Sequence, residues 1–433
     1  MDKRSFDIAV IGGGAAGSMA AIRAAEFGKG VALVERNESI GRKLLLTGKG
    51  RCNLTNNAEI DAFIGKFGKQ GQFLRSAFFI FSNEDLIAFF RSAGLETKVE
   101  RQARVFPSDD SARSVVEALR RRIKELGVEV LSGSRVNDIR RSADGFALGI
   151  EGRGGGGLSA ARAILSTGGA SYKETGSTGD GYAIAGKLGH DVIERTPGLV
   201  PLTTKEAWVK DLQGLGLENV RITVEHGKHR ITSDVGELMF THFGVSGPLV
   251  LDLSAEILAM MRSGKGAADE TRLRIDLKPG MAAAQIEKRL LDAFKRKGKT
   301  RFRNIMKDFL PQRLIDVFIE LTGIKADKEL CQVAQKERKS VVALFKGLPL
   351  TVSGSLPLEE GMVTCGGVST REIDPSTMRS RIVPGLYFAG EIIDGRAPSG
   401  GYNLQQAFST GYLAGDSAAK SLQAADVDIV NLR

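Results

Sequence analysis

The apolar run Phe6, Ile8, Val10 and Ile11 leads directly into Gly12-x-Gly14-x-x-Gly17, and a helix-forming stretch follows. No other feature constrains the fold of this chain as strongly. Gly12 permits the tight turn out of a strand, Gly14 lets the backbone approach a pyrophosphate, and Gly17 lets the helix pack close to the strand. Ala15 and Ala16 fill the turn between them with small side chains. The helix N-terminus then offers free N–H groups and a positive dipole end to phosphates. Val31–Val34 reads as a second strand ending in Glu35, where an acid is expected to accept hydrogen bonds from an adenosine ribose, with Arg36 beside it. The order strand, glycine turn, helix, strand, acid predicts an α/β fold built on a Rossmann-like dinucleotide-binding domain.

At 433 residues the chain exceeds the size at which one hydrophobic core usually stops growing, so two domains are expected. No apolar run approaches the roughly 18 residues needed to span a bilayer. The first strand begins within a few residues of Met1, which leaves no room for a signal peptide. Cys52, Cys331 and Cys365 are far apart and lack CxxC spacing, which suits a reducing cytoplasm better than a disulfide framework. The four histidines, His190, His226, His229 and His242, form no metal-ligand pattern.

The first 195 residues read as alternating β and α, the pattern of a largely parallel sheet. Arg153–Gly157 reads as a glycine-rich hairpin turn. From Thr196 the texture changes to strands and then helices, so 196–350 is expected to be an inserted β-plus-helical domain. Residues 351–420 then complete the first domain, and 421–433 read as a C-terminal tail. The charge is concentrated in the insert. Residues 196–350 hold 26 Lys and Arg against 19 Asp and Glu, or +7 of the net +10. The densest run carries Lys295, Arg296, Lys297, Lys299, Arg301, Arg303 and Lys307. It reads either as a solvated helix surface or as a footprint for nucleic acid or another polyanion.

Three further stretches point to FAD as the dinucleotide. The loop Gly41–Asn56 is long and glycine-punctuated; Arg42 and Lys43 are positioned in it to reach a pyrophosphate, and Asn53 and Thr55 to hydrogen-bond a flavin ring. Ala163–Gly169 is a strand ending in small residues, with Thr167 and Gly168 allowing close backbone approach; Asp180, farther on, is expected to cap a helix. Val383–Glu391 is an apolar strand delivering Gly390 and Glu391 at its end, where α/β sheets bind ligands, and Glu391 suits ribityl hydroxyls. The helix start at Gly401, Tyr402, Asn403 and Leu404 suits the flavin N1/C2=O edge, where its dipole stabilises negative charge. Val136 completes the candidate contacts.

The motifs VIGGGAAG (10–17), GRKLLLTGKGRCNLTN (41–56), STGDGYAIAGKLGH (177–190), GELMFTHFGVSGP (236–248), TCGGVSTREIDPSTM (364–378) and GLYFAGEIIDGRAPSGGYNLQQAFSTG (385–411) cover the chain nearly end to end. In them the chain resembles the BaiN/RdsA family of NAD(P)/FAD-dependent oxidoreductases, the YhiN-like flavoproteins. It is more distantly similar to the fumarate reductase and succinate dehydrogenase flavoproteins. The resemblance implies FAD contacts at the glycine turn, Glu35, Arg42, Glu391 and Gly401–Leu404. One departure stands out: where the family usually carries an acidic stretch, this chain reads Gly395-Arg-Ala-Pro-Ser399.

The resemblance implies a choice of activities. Members reduce the C=C bond of steroid-like enones, reduce uridine to dihydrouridine in large-subunit ribosomal RNA, or act as amine oxidases. Either reduction needs an acid to protonate the α-carbon. The candidates are Cys52, His242, Cys365 and Tyr402. No second GxGxxG with strand context appears, so either NAD(P)H docks transiently at the flavin face or another reductant serves. The leading expectation is an FAD-dependent C=C reductase acting on ribosomal RNA through the basic insert.

Overall fold

The computed structural model describes residues 4–153, 156–263 and 270–431. The chain forms two compact units, one from residues 1–198 with 358–433, the other from 199–357.

In the first unit, β1 (Arg4–Ile11), α1 (Ala15–Glu26) and β2 (Val31–Val34) open the chain. β1 and β2 pair in parallel, with Ile8 opposite Val31, and both are fully buried at their ends. A sheet covered on both faces needs such continuous apolar strands. Glu129–Leu131 extends it beyond β2, and Gly156–Leu165 lies on the other side of β1, again in parallel. The far edge of Gly156–Leu165 is shared. Its first half pairs antiparallel with Gly145–Gly152, and its last three residues pair in parallel with Leu386–Phe388. The segment after the insertion thus completes the sheet begun before it. The middle of the hairpin turn expected at Arg153–Gly157, residues 154–155, lies outside the described residues.

The C-terminal helix, Tyr402–Asn431, packs along α1. The two backbones approach so closely that a Cβ on Gly411 would collide with the Ala16 carbonyl oxygen, and one on Gly415 with that of Ala20. The expected tail at 421–433 is therefore no separate element, because the helix runs on to Asn431.

The second unit is built on a closed ring of six antiparallel strands: Gly216–His226, Gly236–Phe240, Gly244–Ser246, Leu202–Thr204, Leu348–Ser355 and Thr271–Asp276, the last pairing back to the first. Side chains alternate, so Ile222, Val224, Leu273, Ile275, Leu350 and Val352 are buried. The helices Ala283–Arg296, Leu314–Thr322 and Gln335–Lys346 contribute Leu290, Phe318 and Phe345 to the same core. The closing strand Leu348–Ser355 follows the helices in sequence, so the unit reaches Pro357 rather than ending at residue 350. The order is not simply strands and then helices. Among the described residues, no helix is long and apolar enough to cross a membrane.

Replacing Gly411 with valine forces α1 and the C-terminal helix apart. The variant is expected to lose about 1–3 kcal/mol, read as a lower melting temperature.

Candidate dinucleotide-binding site

The glycine turn has the three properties its spacing requires. Gly12 adopts φ +102°, and a Cβ there would lie 2.6 Å from the Ser166 carbonyl oxygen. A Cβ on Gly17 would collide with the Gly12 carbonyl oxygen, so α1 sits directly against the turn. At Gly14 a Cβ would meet nothing within 4 Å. Gly14 is also the N-cap of α1, no side chain caps it, and the first turn holds no acid. Ala15 and Ala16 follow as buried helical residues. Uncapped amides, a positive dipole end and open space suit a pyrophosphate.

Glu35 is buried at the end of β2. Its Oε2 accepts the Gly13 N–H at 2.7 Å, and its Oε1 accepts the Asn37 backbone N–H at 2.8 Å and Nδ2 at 2.7 Å. A carboxylate has about four acceptor sites, so a place remains for a ribose hydroxyl while the residue braces the turn.

The basic candidates divide. Arg42 is exposed and lies 3.3 Å from Asn37 Oδ1. Arg36 donates to Thr178 Oγ1 at 2.6 Å and pairs with Asp180 at 3.1 Å, while Arg135 holds the same carboxylate at 2.7 Å. It fixes the turn at 176–180 and is not free for phosphate. Asp180 is the first residue of its helix; the N-cap is Gly179, at φ +83°. Lys43 likewise pairs with Glu391 at 2.9 Å and donates to Ser171 Oγ at 2.8 Å. Glu391 also accepts the Thr364 N–H at 2.8 Å, and Tyr182 Oη donates to the Glu391 carbonyl at 3.1 Å. Sequence reasoning assigned no role to Ser171, Thr364 or Tyr182, because each lies far along the chain from its partner. Val136 is buried in the strand Ser134–Ser142.

The loop Gly41–Asn56 meets the start of the C-terminal helix. Asn53 Oδ1 accepts the Gly401 N–H at 3.0 Å, and its Nδ2 donates to the Thr55 and Val105 carbonyls at 3.0 and 3.2 Å. Gly401, at φ +98°, lies where a Cβ would collide with the Thr55 carbonyl. The Gly390 N–H donates to Thr410 Oγ1 at 2.9 Å. Gly168 holds φ +75° beside Thr167. Among the described residues, the buried Thr55 Oγ1, Thr167 Oγ1 and Gln405 Oε1 have no hydrogen-bond partner. Buried polar atoms ordinarily find one, and these orphans surround the segments expected to face a flavin. The residues present therefore fit FAD. Asn403 differs: its amide clamps the Ala397 N–H and carbonyl, both at 2.9 Å. Leu404 is half-buried.

The acid candidates differ in their surroundings. Cys52 is fully buried, and burial pushes its thiol up to about 12, too high for a proton donor near neutrality. The Tyr402 ring packs edge-on against Phe63 at 4.8 Å within an aromatic cluster that includes Phe67 and Phe78. Cys365 is half-buried in the strand Val363–Val368. His242, in the second unit, is exposed on the turn after Gly236–Phe240, with its ring edge-on to Phe243 at 4.8 Å. An acid missed in the sequence is Asp394. Its Oδ2 accepts from Gln70 Nε2 at 2.9 Å, and burial raises its carboxyl above the usual range against the opposing effect of the Gly366 N–H.

The profile described as "HI0933-like protein Rossmann domain" matches residues 6–417. The chain is 34% identical to the 3-dehydro-bile acid delta(4,6)-reductase of Clostridium scindens, over 95% of this chain and 99% of that one. It is 31% identical to the ribosomal RNA dihydrouridine synthase of Haemophilus influenzae, over 93% and 96% of the two chains. In fold it resembles the 3-ketosteroid delta1-dehydrogenase of Sterolibacterium denitrificans, with a TM-score of 0.54 at 14% identity, covering 97% of this chain and all (100%) of that one.

Gly14→Val places a side chain in the open space at the helix N-terminus without a steric clash in the protein. The variant is expected to fold with an unchanged melting temperature in the FAD-free state and to lose bound flavin, read as flavin absorbance per chain.

Proposed function

The chain belongs to the HI0933-like Rossmann-domain family, and from that membership we propose that it is an FAD-dependent oxidoreductase that reduces a conjugated C=C bond, with uridine in large-subunit ribosomal RNA as its substrate and NAD(P)H as reductant. When bound, FAD supplies hydride to the β-carbon of the conjugated system. The chain's own task is to hold the cofactor and to supply a proton to the α-carbon. The substrate thereby gains a hydride and a proton, and the nicotinamide loses the hydride.

The observation that carries the RNA reading is the basic run of the second unit. Lys295, Arg296, Lys297, Lys299, Arg301, Arg303 and Lys307 are all exposed. Lys297 is neutralised by Asp308 at 2.8 Å and Arg303 by Asp316. Among the described residues, Lys295, Lys299, Arg301 and Lys307 form no ion pair, so their charge is available to a polyanion. The second reading, a small-molecule enone reductase, draws on the higher identity to the bile-acid reductase. Amine oxidation draws on none of these observations. We place the protein in the cytoplasm on its three scattered cysteines, none in a disulfide.

We carry His242 forward as the proton-donor candidate to test, since its side chain is exposed. His242→Gln is expected to lower substrate turnover about 100-fold or more while NADPH still reduces the bound flavin at the wild-type rate. A loss of both would rule His242 out.

For the substrate, anaerobic incubation of the FAD-loaded protein with NADPH and unmodified large-subunit rRNA is expected to yield dihydrouridine at one site, read by mass spectrometry. Charge reversal of Lys295, Lys299, Arg301 and Lys307 is expected to weaken RNA binding and flatten its salt dependence by roughly 0.7 in log–log slope per lost phosphate contact. No product with reduced flavin present overturns the RNA reading and favours small enones.

A further inference from the structure

Arg396 lies between the two segments that frame the flavin side of the first unit, Gly390–Glu391 and the helix start at Gly401. It is half-buried. Its stem runs past Gly198, where a Cβ would lie 3.2 Å from Arg396 Cδ and 2.6 Å from Cys365 Sγ. A bare glycine is thus what leaves room for the arginine. Among the described residues, the guanidinium has no hydrogen bond, ion pair or aromatic partner. The neighbouring acids are occupied elsewhere. Asp394 is held by Gln70 at 2.9 Å, and Glu391 by Lys43 at 2.9 Å. In the same unit Arg36 and Arg135 share Asp180, and Arg51 bonds Glu100 and Asp110.

A guanidinium carries five donors in a rigid fork and cannot shed its charge. With no protein acceptor engaged, those donors are available to an incoming oxygen. We propose that Arg396 is a further catalytic residue, which binds the carbonyl oxygen of the conjugated substrate and stabilises the negative charge that develops there. The proposal rests on the C=C reductase reading. Hydride reaches the β-carbon, the C=C electron pair moves onto the carbonyl oxygen, and a proton then joins the α-carbon as the carbonyl re-forms. The reduced nicotinamide is the source of the hydride. A cation that meets the oxygen there lowers that barrier by stabilising the charge that develops on it. The chemical class recognised is a conjugated carbonyl, whether on a uracil ring or an enone.

The test uses the FAD-loaded full chain with Arg396→Met and Arg396→Lys. Bound flavin per chain and the melting temperature establish that each variant folds. Titration with p-chlorophenol reads oxyanion binding beside the flavin as a long-wavelength absorbance band, without turnover. Arg396→Met is expected to weaken that binding and to lower kcat by about 10- to 100-fold, with flavin reduction by NADPH unchanged, and Arg396→Lys to recover part of both. Phenolate binding and kcat within twofold of wild type in Arg396→Met would overturn the proposal. If the wild type reduces no conjugated C=C substrate, the reductase reading fails instead, and the phenolate titration still decides whether Arg396 holds an oxyanion.

Discussion

Helix α1 touches protein backbone on two sides, and both contacts close only because side chains are missing. On one side the absent Cβ of Gly17 lets α1 sit on the turn at Gly12. On the other, Gly411 and Gly415 let the C-terminal helix lie against Ala16 and Ala20. A methyl group added at any of these points meets a carbonyl oxygen, and backbone cannot rotate out of the way as a side chain can. Gly390 belongs to the same arrangement, since a Cβ there would lie 2.7 Å from the Ala16 Cβ. The approach of α1 to its neighbours therefore sets where Glu391 and the helix start at Gly401 lie relative to the glycine turn. The site depends on a packing contact rather than on any one polar interaction.

What was legible in the sequence was what is local. The β1–α1–β2 unit, the separate tasks of Gly12, Gly14 and Gly17, and the acid at the end of β2 all follow from spacing within 35 residues. Charged side chains were harder. Lys43 looked available for a pyrophosphate and Arg36 for the cofactor, but their partners Glu391 and Asp180 lie 348 and 144 residues away. A long cation in a loop has many possible acceptors, and only the fold selects one. The setting of Cys52 was illegible for a related reason. A glycine-rich loop suggests exposure, whereas this one turns inward and buries the thiol. The extent of the insertion was obscured because the strand Leu348–Ser355 belongs to a ring whose other members precede the helices.

The electrostatics of the first unit follow from this placement. Asp180 accepts from both Arg36 and Arg135, Glu391 is shared among Lys43, Thr364 and Ser171, and Arg51 lies over the Phe106 ring at 4.2 Å while bonding Glu100 and Asp110. The Lys43–Glu391 and Arg36–Asp180 pairs are partly buried, where a charge left alone is costly, while Arg51–Asp110 is exposed and contributes less. They stitch the loop Gly41–Asn56, the turn at 176–180 and the segment at 391 into one frame, so a cofactor meets a surface that is already ordered. Preorganisation of this kind reduces what binding must spend on ordering loops.

The strand ring of the second unit begins and ends at one place. Leu202, near its entry, pairs with Ser355, near its exit. In the first unit the flanking strands do the same, with Gly198 opposite Val363. Two chain ends already hydrogen-bonded side by side form a socket, into which a whole module can be exchanged without moving either end. A lineage can thus keep the first unit and vary the second while both ends of the insertion stay where these strands hold them.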